Sequence, residues 1–292
     1  MKVAIIGPGA LGCLFAARLT QSGVRTTLVD HRTDRAAHLR ESGITLEDGK
    51  GMHRVRPAAV TLNTPTGQDL VIVLTKAYST NSLALPPDTP VLTLQNGLGN
   101  VEILCAAVGS AHVLAGTTCE AATLLGEGHV RHTGRGVTAL GAWTSCSPAR
   151  AIEVLGKAGF DVELTEIPGK KIWEKAVINA GINPLTGLLN VPNGRLMEIP
   201  EVRQLLRDLV VEAAKVATTE GYRFEYSLVE RTEEVCRQTA ANISSMLQDV
   251  RAGKPTEIDA ISGQIVRRAQ NASLPTPRTR MVWQLMKGLE QR

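Results

Sequence analysis

The chain has 292 residues, which is enough for two domains of ordinary size, and two is the number we expect. Its 43% hydrophobic and 21% charged residues are typical of a globular protein and exclude both a disordered and a membrane-embedded chain. With a formal net charge of only +4 and 3% aromatic residues, we expect no nucleic-acid partner, while a basic pocket for a small anionic ligand is compatible with both values.

Three further features of the sequence bear on location and metal chemistry. No apolar run approaches the roughly eighteen residues that cross a membrane, and the opening MKVAIIGPGALG reaches glycine and proline too early for an export signal. Five cysteines without C-x-x-C spacing favour reduced thiols and a cytoplasmic protein. His129 and His132 lie in GHVRHTG, a predicted strand that would point them to opposite faces, so we expect no metal site.

Strand and helix patterns alternate over about the first 166 residues. Near-continuous apolar runs are typical of parallel strands covered on both faces, and helices that end in glycine separate them. The strand candidates, in chain order, are KVAIIG, TTLVD, DLVIVLT and PVLTLQN. The helix candidates are ALGCLFAARLTQSG, DRAAHLRESG and GNVEILCAAVG. This order predicts an α/β fold with a doubly wound sheet.

The pattern changes after these elements. Residues 113–141 contain glycine-punctuated strands that look antiparallel, and a helix in SPARAIEVLGKAG and a closing strand in FDVELTEI follow. Beyond IPGKK at 167–171 the candidates are helical, namely PEVRQLLRDLVVEAAKVATTEG, SLVERTEEVCRQTA, TEIDAISGQIVRRAQNA and PRTRMVWQLMKGLEQR. We therefore predict an N-terminal Rossmann-type dinucleotide-binding domain over 1–167 and an all-α C-terminal substrate and catalytic domain over 168–292.

A glycine-rich turn joins the first strand to the first helix. In GPGALG, Gly7 makes the tight turn, Gly9 lets a pyrophosphate approach the backbone and Gly12 lets the helix pack closely. Ala10 and Leu11 complete the turn, whose helix N-terminus offers N–H groups to phosphates. This context favours a dinucleotide site over a glycine-rich turn without a ligand.

The end of the second strand gives two signals about the cofactor. Asp30 stands eighteen residues after Gly12, where a carboxylate would bind an unphosphorylated ribose and favour NAD. Arg32 follows at once, where a guanidinium would clamp the 2′-phosphate of NADP. Arg35 is equally well explained as a solvated charge, and we leave it outside the predicted site. The two signals conflict and leave the choice of cofactor open.

Two polar residues follow later strands of the predicted sheet. Lys76 comes after VIVLT, and Asn96 comes after VLTLQ. Both stand at the carboxyl ends of strands, the edge at which open α/β sheets bind ligands. A solvated lysine and an ordinary Asn-Gly turn are about equally good explanations. We include Lys76 and Asn96 in the predicted cofactor site.

The segment IWEKAVINAGINPLTGLLN carries Lys175, Asn179 and Asn183 at four-residue intervals, with Pro184 directly after. Side chains at this spacing share one face of a helix. One explanation is the wet face of an amphipathic helix. The other is a functional face, because asparagine and proline both weaken a helix and paired asparagines indicate specific hydrogen bonding.

A second polar motif, NISSMLQDVRAGKPTEIDAISG, places Asn242 and Ser245 near the start of one predicted helix and Glu257 at the start of the next. Thr256 as an N-cap and Glu257 as a partner of the helix dipole would account for the motif without a ligand. That explanation and a ligand-binding role are equally open on these residues alone.

Four motifs together resemble the ketopantoate reductase (2-dehydropantoate 2-reductase) family. They are GPGALG, LQNGLGN, WEKAVINAGINPLTGLLNVPNG and SSMLQDVRAGKPTEID, which follow in the family's order over nearly the whole chain, and the last two are specific to it. The resemblance implies an oxidoreductase of pantothenate biosynthesis that reduces 2-dehydropantoate to (R)-pantoate with NADPH. NADP is therefore the predicted cofactor, with NAD possible because of Asp30.

The resemblance also implies roles for single residues. Lys175 matches the catalytic acid of the family, and Glu257 matches a glutamate that contacts the substrate. The other predicted substrate contacts are Asn96, Asn179, Asn183, Asn193, Asn242 and Ser245. The helix face that carries Lys175 would then line a cleft opposite the nicotinamide.

Two residues depart from the pattern of the family. Asp30 is unexpected in a family that binds NADP, and Ser79 stands where some members have glutamine near the cofactor. Both bear on cofactor preference more than on the chemistry. A reductase of another 2-oxo acid and a non-catalytic dinucleotide sensor are the alternatives, and the sequence leaves open whether the protein is a monomer or a homodimer.

Overall fold

The computed structural model describes residues 1–291. These residues form two compact units. The first comprises residues 1–95 and 100–171, and the second comprises residues 96–99 together with the described residues from Ile172 onward. The division falls in the first turn of a long helix that begins at Pro168.

Twelve strands and four complete helices make up the first unit. The strands are β1 (Lys2–Ile6), β2 (Arg25–Val29), β3 (Ile44–Asp48), β4 (Gly51–Val55), β5 (Ala59–Thr61), β6 (Leu70–Val73), β7 (Val91–Thr93), β8 (Val113–Thr118), β9 (Ala121–Gly126), β10 (His129–Gly134), β11 (Thr138–Ala142) and β12 (Val162–Leu164). The helices are α1 (Ala10–Gln21), α2 (Thr33–Ser42), α3 (Asn100–Val108) and α4 (Ala149–Lys157).

The larger sheet has the strand order β12-β11-β8-β7-β6-β1-β2-β5. The six strands from β5 to β8 run parallel to one another. From β1 the sheet continues through β2 to β5 at one edge, and the chain then returns to β6 on the other side of β1 and continues through β7 and β8. The strand order therefore reverses between β1 and β6, which is the doubly wound arrangement. The predicted α/β fold class is confirmed.

A second sheet, with the order β4-β3-β10-β9, was not predicted from the sequence. Its β9 and β10 are antiparallel, as are β8 and β11 in the larger sheet, in agreement with the prediction for that region. However, β10 also pairs in parallel with β3, from a segment to which the sequence assigned no strand. Helix α1 contacts strands of both sheets, and seven of its twelve residues are buried.

Glycines end the first three helices as expected. Gly23, Gly43 and Gly109 follow α1, α2 and α3 with φ values of 82°, 70° and 82°. This left-handed conformation is favourable for glycine and strained for most other residues. The predicted C-terminal ends of the three helices are therefore confirmed.

The second unit is helical, and residues 172–291 contain no strand, as predicted. Its helices are α5 (Pro168–Leu189), α6 (Arg195–Glu198), α7 (Pro200–Thr219), α8 (Leu228–Gln238), α9 (Ser245–Arg251), α10 (Gln264–Asn271) and α11 (Pro277–Leu289). A π-helical turn at Asp259–Gly263 directly precedes α10, where the sequence predicted one continuous helix. None of the helices described in residues 1–291 is both long and apolar enough to cross a membrane.

A buried carboxylate joins two of these helices. Glu233 on α8 has only 4% of its side chain exposed, and it binds Arg203 and Arg207 from α7 and Arg237 from α8 at N···O distances of 2.5, 2.6 and 2.9 Å. The hydrogen bond from Arg203 outweighs the opposing effect of burial and, with that from Arg207, lowers the pKa of Glu233 to about 2. The carboxylate therefore stays ionised over almost the whole acidic range.

We expect Glu233→Gln to lower the free energy of unfolding at pH 7 by about 3 kcal/mol, because a tenfold difference in proton affinity between the folded and unfolded chain corresponds to about 1.4 kcal/mol. A pKa lowered from 4.5 to about 2 gives stability that is present above pH 4.5 and lost as the pH falls toward 2. Urea denaturation should thus show a difference in the free energy of unfolding between wild type and variant that becomes smaller as the pH falls from 4.5 toward 2. A difference that does not change with pH would contradict a role for the charge.

Candidate active site

The turn between β1 and α1 leaves no room for side chains at two of its glycines. Gly7 has a φ of 98°, and a Cβ there would lie 2.8 Å from the backbone nitrogen of Thr75. A Cβ on Gly12 would lie 1.8 Å from the carbonyl oxygen of Gly7. Glycine is therefore required for the backbone conformation at Gly7 and for close packing of the helix on the turn at Gly12.

Gly9 differs from these two glycines because the space around it is open. No heavy atom lies within 4 Å of the position that its Cβ would occupy. Gly9 is the N-cap of α1, where no side chain caps the helix and the first turn, which begins with Ala10 and Leu11, contains no acidic residue. Open space in front of the N–H groups of a helix N-terminus fits a phosphate. The residues present therefore fit the pyrophosphate of a dinucleotide.

Asp30 follows β2 directly, and the last paired residues of the parallel strands β1 and β2 are Ile6 and Val29. Its carboxylate is fully buried, and Arg35 donates to both oxygens at 2.5 and 2.7 Å. The backbone N–H of Arg32 donates to the same carboxylate at 3.1 Å. The explanation of Arg35 as a solvated charge is wrong, because only 18% of its side chain is exposed and it neutralises Asp30.

Arg32 lies at the surface beside this pair, with 45% of its side chain exposed. It forms ion pairs with Asp34 and, at 3.1 Å, with Glu127. The hydrogen bond from Arg32 lowers the pKa of Asp34 to about 2. An exposed cation therefore stands two residues after the buried Asp30, between Asp30 and Arg35 in the sequence.

The loops after three parallel strands meet at one edge of the larger sheet. The N–H of Gly7 donates to the carbonyl of Val29 at the end of β2, and the N–H of Leu74 donates to the carbonyl of Ile6 at the end of β1. Lys76 comes three residues after the end of β6, at the same edge of the sheet, and is half-buried. The first unit thus brings the glycine-rich turn, Asp30 with its arginines, and Lys76 to the carboxyl ends of β1, β2 and β6.

In the second unit, α5 carries Lys175, Asn179 and Asn183 on one face. Asn183 is only 6% exposed, and Lys175 and Asn179 are half-buried. Residues 180–187 of this helix are all buried. The face is therefore not a fully solvated one, and it carries a half-buried amine, a half-buried amide and a buried amide.

Two buried polar residues that were not included in the predicted site connect α5 to α9. Pro184 lies inside α5 and has no N–H for the helical ladder. The hydroxyl of Thr186 is 3.0 Å from the carbonyl oxygens of both Ile182 and Asn183, and 2.7 Å from the hydroxyl of Ser244. Thr186 and Ser244 are both buried. The available signal was a threonine three residues after Asn183 in an otherwise apolar run.

Asn96 follows β7 in the chain but belongs to the second unit. Its side-chain amide donates to Oε2 of Glu257 at 3.3 Å. The N–H of Leu98 donates to the carbonyl of Ala260 at 2.8 Å, and Gly97, with a φ of 83°, approaches so closely that a Cβ would lie 2.6 Å from that carbonyl oxygen. The loop thus docks on the π-helical turn and brings two predicted substrate-binding side chains together.

The other predicted substrate contacts have different surroundings. Asn193 is buried, and its amide nitrogen donates to the hydroxyl of Thr239 at 2.9 Å. Its Oδ1 is also buried and has no hydrogen-bond partner among residues 1–291. Asn242 and Ser245 are exposed, and the buried Ser244 caps α9. A substrate-binding role for these three residues remains a prediction.

The two neighbouring histidines bind different carboxylates. His129 lies 2.7 Å from Glu47, and His132 lies 2.5 Å from Glu120. Within the part of the chain that the structure describes, no three side chains of His, Cys, Asp or Glu are grouped in a way that would hold a metal ion. Each histidine instead forms a hydrogen bond with a carboxylate of the first unit.

Comparison with known protein sequences gives relatives for both units. Residues 3–145 match the family described as "Ketopantoate reductase PanE/ApbA". Residues 169–290 match the family described as "Ketopantoate reductase PanE/ApbA C terminal". A protein of Halobacterium salinarum named 2-dehydropantoate 2-reductase is 36% identical over 297 residues, which cover 98% of each chain.

Solved structures share the fold over the full length. A PanE/ApbA family ketopantoate reductase from Ralstonia eutropha JMP134 has a TM-score of 0.91 at 30% identity, covering 100% of this chain and 99% of its own. The ternary structure of D-mandelate dehydrogenase with NADH and anilino(oxo)acetate has a TM-score of 0.91 at 27% identity, with the same coverage. The same fold thus occurs in two enzymes with different names.

Proposed function

Because the chain belongs to the ketopantoate reductase family, we propose that it reduces 2-dehydropantoate to (R)-pantoate with NADPH, as a cytoplasmic enzyme of pantothenate biosynthesis. The observation that carries the proposal is the hydrogen bond between Asn96 and Glu257, in the unit that also presents Lys175. We assign the dinucleotide to residues 1–167 and the substrate to residues 168–292.

The nicotinamide, when bound, supplies a hydride to the carbonyl carbon of the substrate. Negative charge then grows on the carbonyl oxygen, where Lys175, as an ammonium group, stabilises it and delivers a proton. Asn179 and Asn183 lie on the same face of α5 and orient the carbonyl by amide hydrogen bonds. Since Asn183 is only 6% exposed, its hydrogen bonds are stronger than they would be in water.

Glu257 determines the orientation of the bound substrate. As a carboxylate that is 6% exposed, it accepts hydrogen bonds and repels the carboxylate of a 2-oxo acid. The hydroxyl end of 2-dehydropantoate therefore faces Glu257. Asn96 holds the Glu257 carboxylate in place at 3.3 Å, and we assign Ser245 to the substrate carboxylate together with Asn96.

NADPH is the proposed cofactor because Asp30 is already neutralised. Arg35 donates to both of its oxygens and the carboxylate is fully buried, so it is not exposed to the ribose hydroxyls while this pair is intact. Neutralisation also reduces its repulsion of a 2′-phosphate. Arg32, which is 45% exposed on its side chain, supplies the cation that binds this phosphate, and we assign Lys76 to the same dinucleotide.

We expect Arg32→Ala to weaken NADPH binding by about 10-fold or more while NADH binding stays within about 2-fold, because a charge-assisted hydrogen bond is worth about 1.5–3 kcal/mol. Arg35→Ala should release Asp30 and shift the preference toward NADH. Fluorescence titration with both dinucleotides measures the two affinities. Arg54→Ala, which removes an exposed arginine of β4, is the matched control. Unchanged NADPH affinity in Arg32→Ala would contradict the phosphate clamp.

The test of the function is NADPH oxidation by the purified protein with a panel of 2-oxo acids. We expect kcat/KM for 2-dehydropantoate to exceed that for 2-oxoisovalerate, which lacks the hydroxymethyl group, by about 100-fold or more, because a site built for a hydroxyl leaves a polar group unpaired with the analogue. A better aryl or unbranched substrate would instead support a reductase of another 2-oxo acid. Dinucleotide binding without turnover would support the sensor alternative.

A further inference from the structure

We propose that two charged residues at the end of α11, together with Asp259 of the π-helical turn, position Glu257 and thereby set the preference for a 2-oxo acid that carries a hydroxyl group. These residues, Asp259, Lys287 and Glu290, are called the α11 clamp. They do not belong to the predicted site. The inference rests on the proposed function, because it treats Glu257 as the group that binds the substrate hydroxyl.

The first contact of the α11 clamp is made to the residue before Glu257. Oε1 of Glu290 accepts hydrogen bonds from the backbone N–H of Thr256 at 2.8 Å and from its hydroxyl at 2.7 Å. The same hydroxyl accepts from the N–H of Ile258 at 3.2 Å. The residues on both sides of Glu257 are thus connected to one carboxylate oxygen of Glu290.

Lys287 connects this carboxylate to a second one. Its ammonium group lies 2.9 Å from Asp259 and 2.9 Å from Glu290. Asp259 also accepts from the indole N–H of Trp283 at 2.7 Å. Burial opposes ionisation of both carboxyls, but the hydrogen bonds from Lys287 and Trp283 to Asp259, and from Thr256 and Lys287 to Glu290, outweigh it and lower both pKa values. The α11 clamp is therefore ionised at neutral pH.

The π-helical turn places Asp259 where α11 can reach it. Its widened turn is closed by a hydrogen bond from the N–H of Gly263 to the carbonyl of Ile258 at 3.0 Å. A Cβ on Gly263 would lie 3.1 Å from the indole nitrogen of Trp283, so glycine makes room for the bond to Asp259. The carbonyl of Ala260 in the same turn accepts from the Asn96 loop. Such turns occur often at functional sites.

The other end of α11 is held independently of the clamp. Glu212 of α7 accepts hydrogen bonds from the N–H groups of Arg278 and Thr279 at 3.1 and 2.8 Å, and from the Thr279 hydroxyl at 2.7 Å. This carboxylate is 8% exposed and fixes the start of the helix, where negative charge is favourable. A substitution there disturbs α11 without touching the residues around Glu257, which provides a matched control.

The experiment compares 2-dehydropantoate with 3,3-dimethyl-2-oxobutanoate, which differs from it only by the missing hydroxyl. We expect Lys287→Met and Glu290→Ala to reduce the ratio of the two kcat/KM values by about 10-fold or more, mainly through a higher KM for the hydroxylated substrate. Lys287→Arg keeps the charge and should retain most of the ratio. Glu212→Gln should lower the Tm and leave the ratio within about 2-fold of wild type.

The outcomes separate this inference from the proposed function. A wild type that shows no preference for the hydroxylated substrate would overturn both, since the α11 clamp would have no preference to set. A wild-type preference that Lys287→Met and Glu290→Ala both retain would overturn the clamp alone. A ratio that falls equally in Glu212→Gln would also overturn it, because the effect would then come from general loss of stability. Lys287 is 40% exposed on its side chain, so its substitution is compatible with folding.

Discussion

Lys175→Ala is expected to lower kcat for 2-dehydropantoate by about 1,000-fold while NADPH still binds, since general acid catalysis contributes about 100- to 10,000-fold. The amine stands one helical turn before Asn179 on the α5 face that carries both asparagines, whereas the other lysine of this face, Lys171, pairs with Glu163. Without Lys175, charge on the carbonyl oxygen is met only by neutral amides and the proton must come from water. Steady-state NADPH oxidation measures kcat, and fluorescence titration measures dinucleotide binding.

The matched control is Lys171→Ala, one helical turn before Lys175. Lys171 pairs with Glu163 at 3.3 Å in the first unit and has no role in the proposed chemistry. Its substitution should leave kcat within about 2-fold of wild type, because exposed ion pairs contribute less than about 1 kcal/mol to stability. Equal kcat values for wild type and Lys175→Ala would remove Lys175 from the reaction. A large loss in Lys171→Ala would show that charge on this helix acts at long range.

Gly9→Ala is expected to leave folding intact and to weaken NADPH binding by about 100-fold. The Cβ would enter open space, with no heavy atom within 4 Å, so the protein itself is not strained. That space is where the pyrophosphate would approach the N–H groups of α1. Thermal unfolding should be nearly unchanged, whereas the dinucleotide titration should shift strongly.

Gly12→Ala is expected to act on the fold as well as on binding. Its Cβ would lie 1.8 Å from the backbone oxygen of Gly7, so the turn itself must move, at a cost of several kcal/mol. Gly156→Ala is the control, because this helical glycine of α4 also has no atom within 4 Å of its Cβ position. NADPH binding by Gly9→Ala at wild-type strength would mean that the phosphates lie elsewhere.

The sequence was informative where local pattern determines structure. The parallel strands are continuous apolar runs, and glycines in a left-handed conformation end the first helices. The second sheet was not predicted from the sequence because β4 (GMHRV) is mostly exposed, and because β10 pairs with β3, which lies more than 80 residues away in the chain. Pairing at that separation depends on tertiary packing, which a local pattern does not contain.

Prediction of the site from the sequence has the same limit, because a local pattern does not contain tertiary packing. Spacing correctly placed Lys175, Asn179 and Asn183 on one helical face, but burial of that face comes from the surrounding helices. A bidentate pair between Asp30 and Arg35 has the same sequence spacing as two solvated charges, so only the structure distinguishes them. Their roles in binding and chemistry remain predictions that the variants above are designed to test.

The position of α1 between two sheets has a consequence for the energetics of ligand exchange. Its buried side chains pack against strands on both sides, from Val3 and Ile5 in the larger sheet to Leu46 and Val130 in the smaller. A helix held in this way has few alternative orientations, so its N-terminus is already aligned before any phosphate arrives. Binding then requires little loss of backbone entropy, and affinity reflects the contacts made more directly than in a protein that must first organise its loop.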